Sequence, residues 1–146
     1  MIRLAGAADA AQIHAIYAPV VRDTVVSFEL EPPGVDVIAA RVRATLDAGF
    51  PWLVAEGAGR ILGYAYASRH RERAAYDWST DVSVYVHEDA RRRGVGRALY
   101  TSLFAVLTLQ GYHNAYAGAT LPNPASVALH EAVGFREIGI YWSVGY

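Results

Sequence analysis

The chain has 146 residues, of which 53% are hydrophobic and 18% charged, which predicts a folded domain with a substantial core rather than a disordered chain. Its formal net charge of −1 argues against general attraction to nucleic acid or to an anionic membrane. There is no cysteine, which excludes disulfides, a thiolate nucleophile and thiolate metal sites. Without a long apolar leader region or a run of about 20 apolar residues, a cytoplasmic protein is expected.

Apolar spacing and capping residues predict a short strand and two helices in the first third of the chain. Residues 2–4 can form the strand, and Asp9 can cap a first helix that ends near position 17. The proline-containing segment 19–34 is expected to be a loop with some extended structure. Asp36 can cap a second helix, which a glycine at position 49 ends.

The middle of the chain predicts three strands. The stretches "WLVAE" (52–56) and "ILGYAYA" (61–67) flank "GAGR", which is a hairpin signal. The stretch "DVSVYV" (81–86) alternates between two kinds of side chain, as a half-buried strand does. One face carries Val82, Val84 and Val86, and the other carries Asp81, Ser83 and Tyr85.

The last third predicts two helices and two strands. A helix over residues 95–110 would bury a stripe of Leu99, Leu103, Val106 and Leu107. A strand is expected at 113–119, and a last strand at 136–146. Between them Asn123 can cap a short helix that ends before Gly134. This order of elements favours one α+β domain over residues 1–146.

The stretch "RRRGVGR" (91–97) stands between a predicted strand and a predicted helix. Glycines let backbone N–H groups approach a ligand, and a helix N-terminus with arginines beside it favours an anion such as a diphosphate. The pattern is not a phosphate loop of the G-x-x-x-x-G-K-[ST] type, because the chain has no lysine. Nor is it a dinucleotide fingerprint, because position 99 holds leucine instead of the third glycine. The alternative is an exposed basic turn with a glycine cap.

Around this turn the sequence resembles a known family. The stretch "VSVYVHEDARRRGVGRALY" resembles the acetyl-CoA signature of the GNAT N-acetyltransferases, [RQ]-x-x-G-x-[GA] between a strand and a helix. Four further blocks, "IYAPVVRDTVVSFELEPP", "AAYDWSTDVSVYV", "LPNPASVALHEAVGF" and "SVGY", are similar to the phosphinothricin branch, in the same order. The resemblance implies a mixed, V-shaped central sheet flanked by helices, with acetyl-CoA bound where the sheet opens. It also implies a homodimer, and a C-terminal family segment that is absent from residues 1–146.

The resemblance assigns a set of residues to acetyl-CoA. The pantetheine arm would lie along the strand at 84–86, where a backbone amide could also polarise the thioester, and the diphosphate would sit on the arginine–glycine turn. The implied cofactor-binding residues are Val84, Tyr85, Val86, Arg91, Arg92, Arg93, Gly94, Val95, Gly96, Arg97, Asn123 and Ser126.

Two residues are candidates for the proton transfers. Asp81 stands where relatives carry a glutamate that acts as general base; being one methylene shorter, it could act through water, merely orient the amine, or serve a structural network. His130 lies on one stripe with Asn123 and Ser126 and could protonate the leaving thiolate, bind CoA, or simply pack between helices. Without cysteine, direct attack in a ternary complex is the simpler route.

The substrate would be a small amino-acid-like amine such as phosphinothricin, methionine sulfoximine or arsinothricin. By resemblance, Arg73 would lie near its acidic end, Tyr76 would also bind the substrate, and Phe28 and Glu29 would line its pocket. The alternative for 69–73 is a solvated charged loop. The other histidines, His14, His70, His87 and His113, lack metal-ligand spacing, so no metal is assigned.

Three other functions compete with this interpretation. A protein or peptide N-terminus could be the acetyl acceptor. A non-catalytic acyl-CoA-binding module would keep the turn at 91–96 without using Asp81 or His130. A nucleic-acid contact through the arginines is disfavoured by the net charge and by the absence of lysine.

Overall fold

In the computed structural model, which describes residues 1–24 and 26–142, five strands form one mixed sheet between helices. In sheet order the strands are β1 (Ile2–Leu4), β2 (Trp52–Gly57), β3 (Arg60–Arg69), β4 (Ser79–Val86) and β5 (Asn114–Tyr116). The helices are α1 (Ala10–Asp23), α2 (Val35–Asp47), α3 (Val95–Leu109) and α4 (Pro124–Ala132). Single 3₁₀ turns lie at Ala7–Asp9, Ala74–Tyr76 and Glu88–Ala90. The expected α+β class is confirmed.

The two faces of the sheet bury two separate cores. Helices α1 and α2 cover one face, where Ile13, Val42 and Val54 are fully buried. Helix α3 covers the other face, where Leu99, Tyr100 and Leu103 are fully buried. The alternation predicted for β4 is confirmed, because Val82 and Val84 pack on the α3 side while Tyr85 packs on the α1 side.

The sheet opens between β4 and β5. These strands pair in parallel over only three residues each, and the last pair joins Asp81 to Tyr116. Beyond Asp81, β4 continues to Val86 on its antiparallel pairing with β3, with no strand on its other edge among the described residues. This opening is the V shape that the resemblance implied.

The first helix starts after Asp9 as predicted, but its predicted end, the capping role of the Asp9 side chain and the predicted start of the second helix are wrong. Helix α1 runs through Pro19 to Asp23, because its apolar face stays buried at Ala18 and Val21 beyond the proline. Asp9 immediately precedes α1 but does not cap it, since its carboxylate binds Arg3 and the Gly6 N–H instead. Gly34, not Asp36, is the N-cap residue of α2.

The C-terminal half differs from expectation in three places. The buried stripe of α3 includes Tyr100, whereas Val106 is only half-buried. Strand β5 is shorter than the predicted 113–119, because it loses its partner where β4 diverges. Residues 136–142 form no strand, and the rest of the predicted last strand, with the "SVGY" block, lies outside the described residues.

Candidate active site

The arginine–glycine turn places unpaired N–H groups at the start of α3. Gly94 is the N-cap residue and has a φ of +79°, a left-handed conformation that glycine adopts without strain. The first hydrogen bond of the helix runs from the Ala98 N–H to the Gly94 carbonyl, at 3.0 Å. The N–H groups of Val95, Gly96 and Arg97 therefore precede the helical ladder and can bind an anion.

The side chains around this turn add positive charge. Arg91, Arg92, Arg93 and Arg97 are all exposed. None of the four pairs with an acidic residue within the part of the chain that the structure describes, whereas Arg60 nearby contacts Asp89 at 3.6 Å. Their charge thus remains available for a phosphate-bearing ligand.

Gly96 is needed for packing rather than for an unusual φ. A Cβ at this position would lie 3.0 Å from Leu129 Cδ2 and 3.5 Å from Val86 Cγ2. The glycine therefore lets the first turn of α3 approach both α4 and the end of β4. The sequence interpretation, which gave both glycines the same role of ligand approach, missed this difference.

Strand β4 presents its backbone to the opening of the sheet. The side chain of Val84 packs towards α3 and that of Tyr85 towards α1. The Tyr85 ring lies edge-on to Tyr17, with centroids 5.2 Å apart, and burial raises its pKa well above the ordinary value for tyrosine. Since both side chains are directed away from the edge, the main chain of residues 82–86 remains available to an extended ligand.

Asp81 lies at the base of the opening and is paired with a residue that the sequence interpretation did not assign. Its Oδ1 lies 2.6 Å from Nδ1 of His70. The His70 ring stacks on Tyr116, with centroids 4.5 Å apart, and lies edge-on to Tyr76 at 5.7 Å. The register of β3 and β4 brings the two together, because Ser68 pairs with Asp81 and a residue two positions after Ser68 shares its face.

His130 is held between two helices on the α3 side. Its Nδ1 lies 2.6 Å from the Ser126 carbonyl oxygen, which can only accept, so Nδ1 carries the hydrogen. In the neutral ring Nε2 then accepts from the hydroxyl of Tyr100, at 2.9 Å. Ser126 also donates its N–H to the Asn123 side chain, at 3.2 Å, which confirms the predicted cap of α4.

Glu29 belongs to a polar network beside α1 and α2. Its carboxylate accepts from the Tyr17 hydroxyl and from Nη1 of Arg41, the latter at 3.2 Å. Arg41 keeps the pKa of Glu29 below its usual range, so Glu29 is anionic. Burial, with the bond to Glu29, raises the pKa of Tyr17 to about 12, so Tyr17 keeps its proton.

Of the other residues predicted to bind substrate, one contacts His70 and two are exposed at the surface. Tyr76 contacts His70, but the side chain of Phe28 is 61% exposed and Arg73 is also exposed. No group of three metal-ligating side chains occurs in residues 1–24 and 26–142. No helix in the same ranges has the length and apolar character needed to cross a bilayer.

Comparison with known families identifies the class of protein. The sequence profile of the family described as "Acetyltransferase (GNAT) domain" matches residues 2–146. The chain therefore belongs to the GNAT family, and it is an acetyl-CoA-dependent N-acetyltransferase.

Two curated relatives are similar over nearly the whole chain. A phosphinothricin N-acetyltransferase of Alcaligenes faecalis is 43% identical over 139 residues, which is 94% of this chain and 71% of the relative. An L-methionine sulfoximine/L-methionine sulfone acetyltransferase of Pseudomonas paraeruginosa is 35% identical, over 99% of this chain and 84% of the relative.

Two solved structures share the fold over the full chain. A phosphinothricin acetyltransferase of Sinorhizobium meliloti in complex with acetyl-CoA has a TM-score of 0.95 at 35% identity, with 80% of its own chain covered. A ribosomal-protein-alanine N-acetyltransferase of Brucella melitensis has a TM-score of 0.96 at 34% identity, with 90% of its chain covered.

Proposed function

We propose that this enzyme acetylates the amino group of a small amino-acid-like substrate of the phosphinothricin, methionine sulfoximine or arsinothricin type. The observation that carries the proposal is the parting of β4 and β5 at Asp81 and Tyr116. It leaves an open strand edge that leads from a carboxylate to the cationic turn at the start of α3. Relatives named for phosphinothricin and for methionine sulfoximine support the substrate class.

In this proposal the chain holds acetyl-CoA along the open edge of the sheet. Backbone groups of residues 84–86 bind the pantetheine arm, and the N–H groups and arginines of residues 91–97 bind the diphosphate. The Asn123 side-chain oxygen already caps α4, so only its amide NH₂ is left for a ligand. The acetyl group then comes to rest near Asp81, at the base of the opening.

The substrate is proposed to lie on the α1 side of the sheet. Arg73 is suited to the acidic end of the substrate, while Phe28, Glu29 and Tyr76 line the pocket. The hydrogen bonds of His130 favour the packing role over proton donation, because in the neutral ring Nε2 is occupied in accepting from Tyr100.

A thiol-release assay tests the proposal. The protein is mixed with acetyl-CoA and phosphinothricin, methionine sulfoximine or arsinothricin, and free CoA is measured. We expect release with at least one of these amines and none with its N-acetylated form, which is the matched control. A folded protein that releases CoA with none of the three would refute the proposed substrate class.

The same assay separates the competing functions. The Brucella structure, named for acetylation of a ribosomal-protein alanine, makes a peptide with N-terminal alanine the natural competitor substrate. Faster release with this peptide than with any small amine would favour an N-terminal acetyltransferase. Binding of CoA without turnover of any amine would favour a non-catalytic module. The homodimer and the cytoplasmic location stay predictions.

A further inference from the structure

We propose that His70 is the general base for the acceptor amine and that Asp81 is the residue that positions it. The inference rests on the proposed function, because it requires an amine as the acetyl acceptor. It assigns a role to a histidine that the sequence pattern left without one.

The contact between the two residues fixes which nitrogen of the ring can accept a proton. Nδ1 of His70 lies 2.6 Å from Oδ1 of Asp81. An ionised carboxylate can only accept, so Nδ1 carries a ring hydrogen, and in the neutral imidazole Nε2 keeps a lone pair. Nε2 has no hydrogen-bond partner among the residues that the structure describes. An imidazole is also a stronger base than a carboxylate, so the ring is the better proton acceptor of the pair.

Aromatic contacts from two other segments hold the ring in place. The ring stacks on Tyr116 of β5, with an interplanar angle of 20°, and meets Tyr76 of the 3₁₀ turn edge-on. The side chain of His70 is 19% exposed, whereas that of Asp81 is 46% exposed. The imidazole is thus more enclosed than the carboxylate that orients it, while some of its surface can still meet a substrate.

The position of the pair matches the place where chemistry would occur. Asp81 and Tyr116 form the last pair between β4 and β5, and His70 contacts both. The imidazole therefore sits at the point from which the open edge of β4 begins. A general base has to be within hydrogen-bond reach of the amine, and this is where the amine would meet the acetyl group.

The proton balance of the step is simple. Nε2 of His70 takes one proton from the ammonium group of the substrate. The substrate nitrogen is then a neutral amine with a free lone pair. The amine nitrogen then forms a bond to the acetyl carbon while the carbon–sulfur bond breaks. The second proton of the amine goes to the departing sulfur through water, and His70 later returns the first proton to solvent.

Kinetics of four variants and a control test the assignment. The variants are compared on the best amine of a panel of phosphinothricin, methionine sulfoximine and the common L-amino acids. His70→Phe keeps the aromatic contacts but removes the base, and should lower kcat/KM about 100-fold. His113→Phe, an exposed histidine outside the site, should change it less than twofold. Asp81→Asn should lower kcat/KM in the wild type but not further in His70→Phe, because Asp81 acts through His70.

Chemical rescue separates a base from a merely structural residue. In His70→Ala, added imidazoles should restore turnover, and the more basic imidazoles should restore more of it. Any of three results would overturn the proposal. The first is rescue that does not depend on the basicity of the added imidazole, and the second is a kcat/KM of His70→Phe within threefold of the wild type. The third is an equal fall in kcat/KM when Asp81→Asn is introduced into the wild type and into His70→Phe.

Nuclear magnetic resonance of the histidine rings gives a readout that needs no substrate. We expect His70 as the Nδ1–H tautomer in the wild type and a changed tautomer balance in Asp81→Asn. An Nε2–H tautomer in the wild type would overturn the role of His70 whatever the substrate. Absence of turnover with phosphinothricin, methionine sulfoximine and arsinothricin, with turnover of an amine outside this class, would instead refute only the proposed substrate class.

Discussion

Gly63 of β3 determines how closely α3 can approach the sheet next to the end of β4. A Cβ at this position would lie 2.9 Å from the carbonyl oxygen of Tyr85, 3.1 Å from Val95 Cγ1 and 3.2 Å from Leu99 Cδ1. The first of these atoms belongs to the backbone and cannot rotate away. The missing side chain thus lets the start of α3, which carries the unpaired N–H groups, lie directly against β3, the neighbour of the open-edge strand.

At the residue scale we therefore predict that Gly63→Ala destabilises the protein by about 1–3 kcal/mol, as overpacking of a filled core does. It should also weaken CoA binding, because the start of α3, with its N–H groups, must move away from β3. Gly118→Ala is the matched control, since a Cβ there meets nothing within 4 Å. Urea unfolding and calorimetric titration with CoA measure both effects. Equal stability of the two variants would contradict the packing argument.

Helix α3 and the turn before it act together as an anion site in this account. The N–H groups are oriented towards an anion at the start of the helix. The exposed arginines add charge that no acidic side chain in residues 1–24 and 26–142 pairs with. Replacement of Arg91 or Arg93 by glutamine should weaken the free energy of CoA binding by about 1 kcal/mol, which raises the Kd for CoA roughly fivefold. The dependence of the Kd on salt should also become weaker than in the wild type.

The control for this prediction is Arg43→Gln in α2, an exposed arginine away from the turn. It should leave the Kd for CoA and its salt dependence unchanged. Calorimetric titration at low and at moderate salt provides both quantities. If the turn variants bind CoA as tightly as Arg43→Gln does, the diphosphate lies elsewhere.

The elements that follow from the sequence are those whose pattern is local. The alternation of β4, the hairpin before it and the N-terminus of α3 all depend on residues close together in the chain, and the structure has them as predicted. The end of α1 depends on burial of Val21, and the length of β5 on where β4 diverges, so neither could be inferred from local spacing. The contact between His70 and Asp81 likewise depends on the register between two strands, which the sequence alone does not state.

At the scale of the whole molecule, one ionic network ties the N-terminus to the sheet. The guanidinium of Arg3 in β1 binds both carboxylate oxygens of Asp9, at 2.8 and 2.9 Å, and reaches Glu56 of β2 at 3.1 Å. Asp9 also accepts from the Gly6 N–H at 2.8 Å, and its side chain is only 10% exposed. The network therefore joins the first strand, the start of α1 and the second strand.

This network makes the stability of the whole fold depend on acid pH. The hydrogen bonds from Arg3, with that from Gly6, lower the pKa of Asp9 below its ordinary value of about 4. The unfolded chain then binds the proton more readily than the folded one, so the contribution of Asp9 is fully present above about pH 4 and is lost as pH falls through the folded pKa. Asp9→Asn should lower the free energy of unfolding by about 1–2 kcal/mol at pH 7. Below the pKa of Asp9 in the folded protein, the variant and the wild type should be equally stable.

Asp23→Asn is the matched control for this last prediction. Asp23 also binds an arginine through both oxygens, with two contacts of 3.0 Å to Arg22, but both side chains are more than half exposed. An exposed pair of this kind contributes little to stability, so this variant should unfold like the wild type at every pH. Urea unfolding of the three proteins from pH 7 down to about pH 2 measures the difference. If the free energies of unfolding of Asp9→Asn and the wild type differ by the same amount at every pH, the prediction is wrong. The folded and unfolded chains would then bind the Asp9 proton equally well, because only a difference in pKa makes this gap vary with pH.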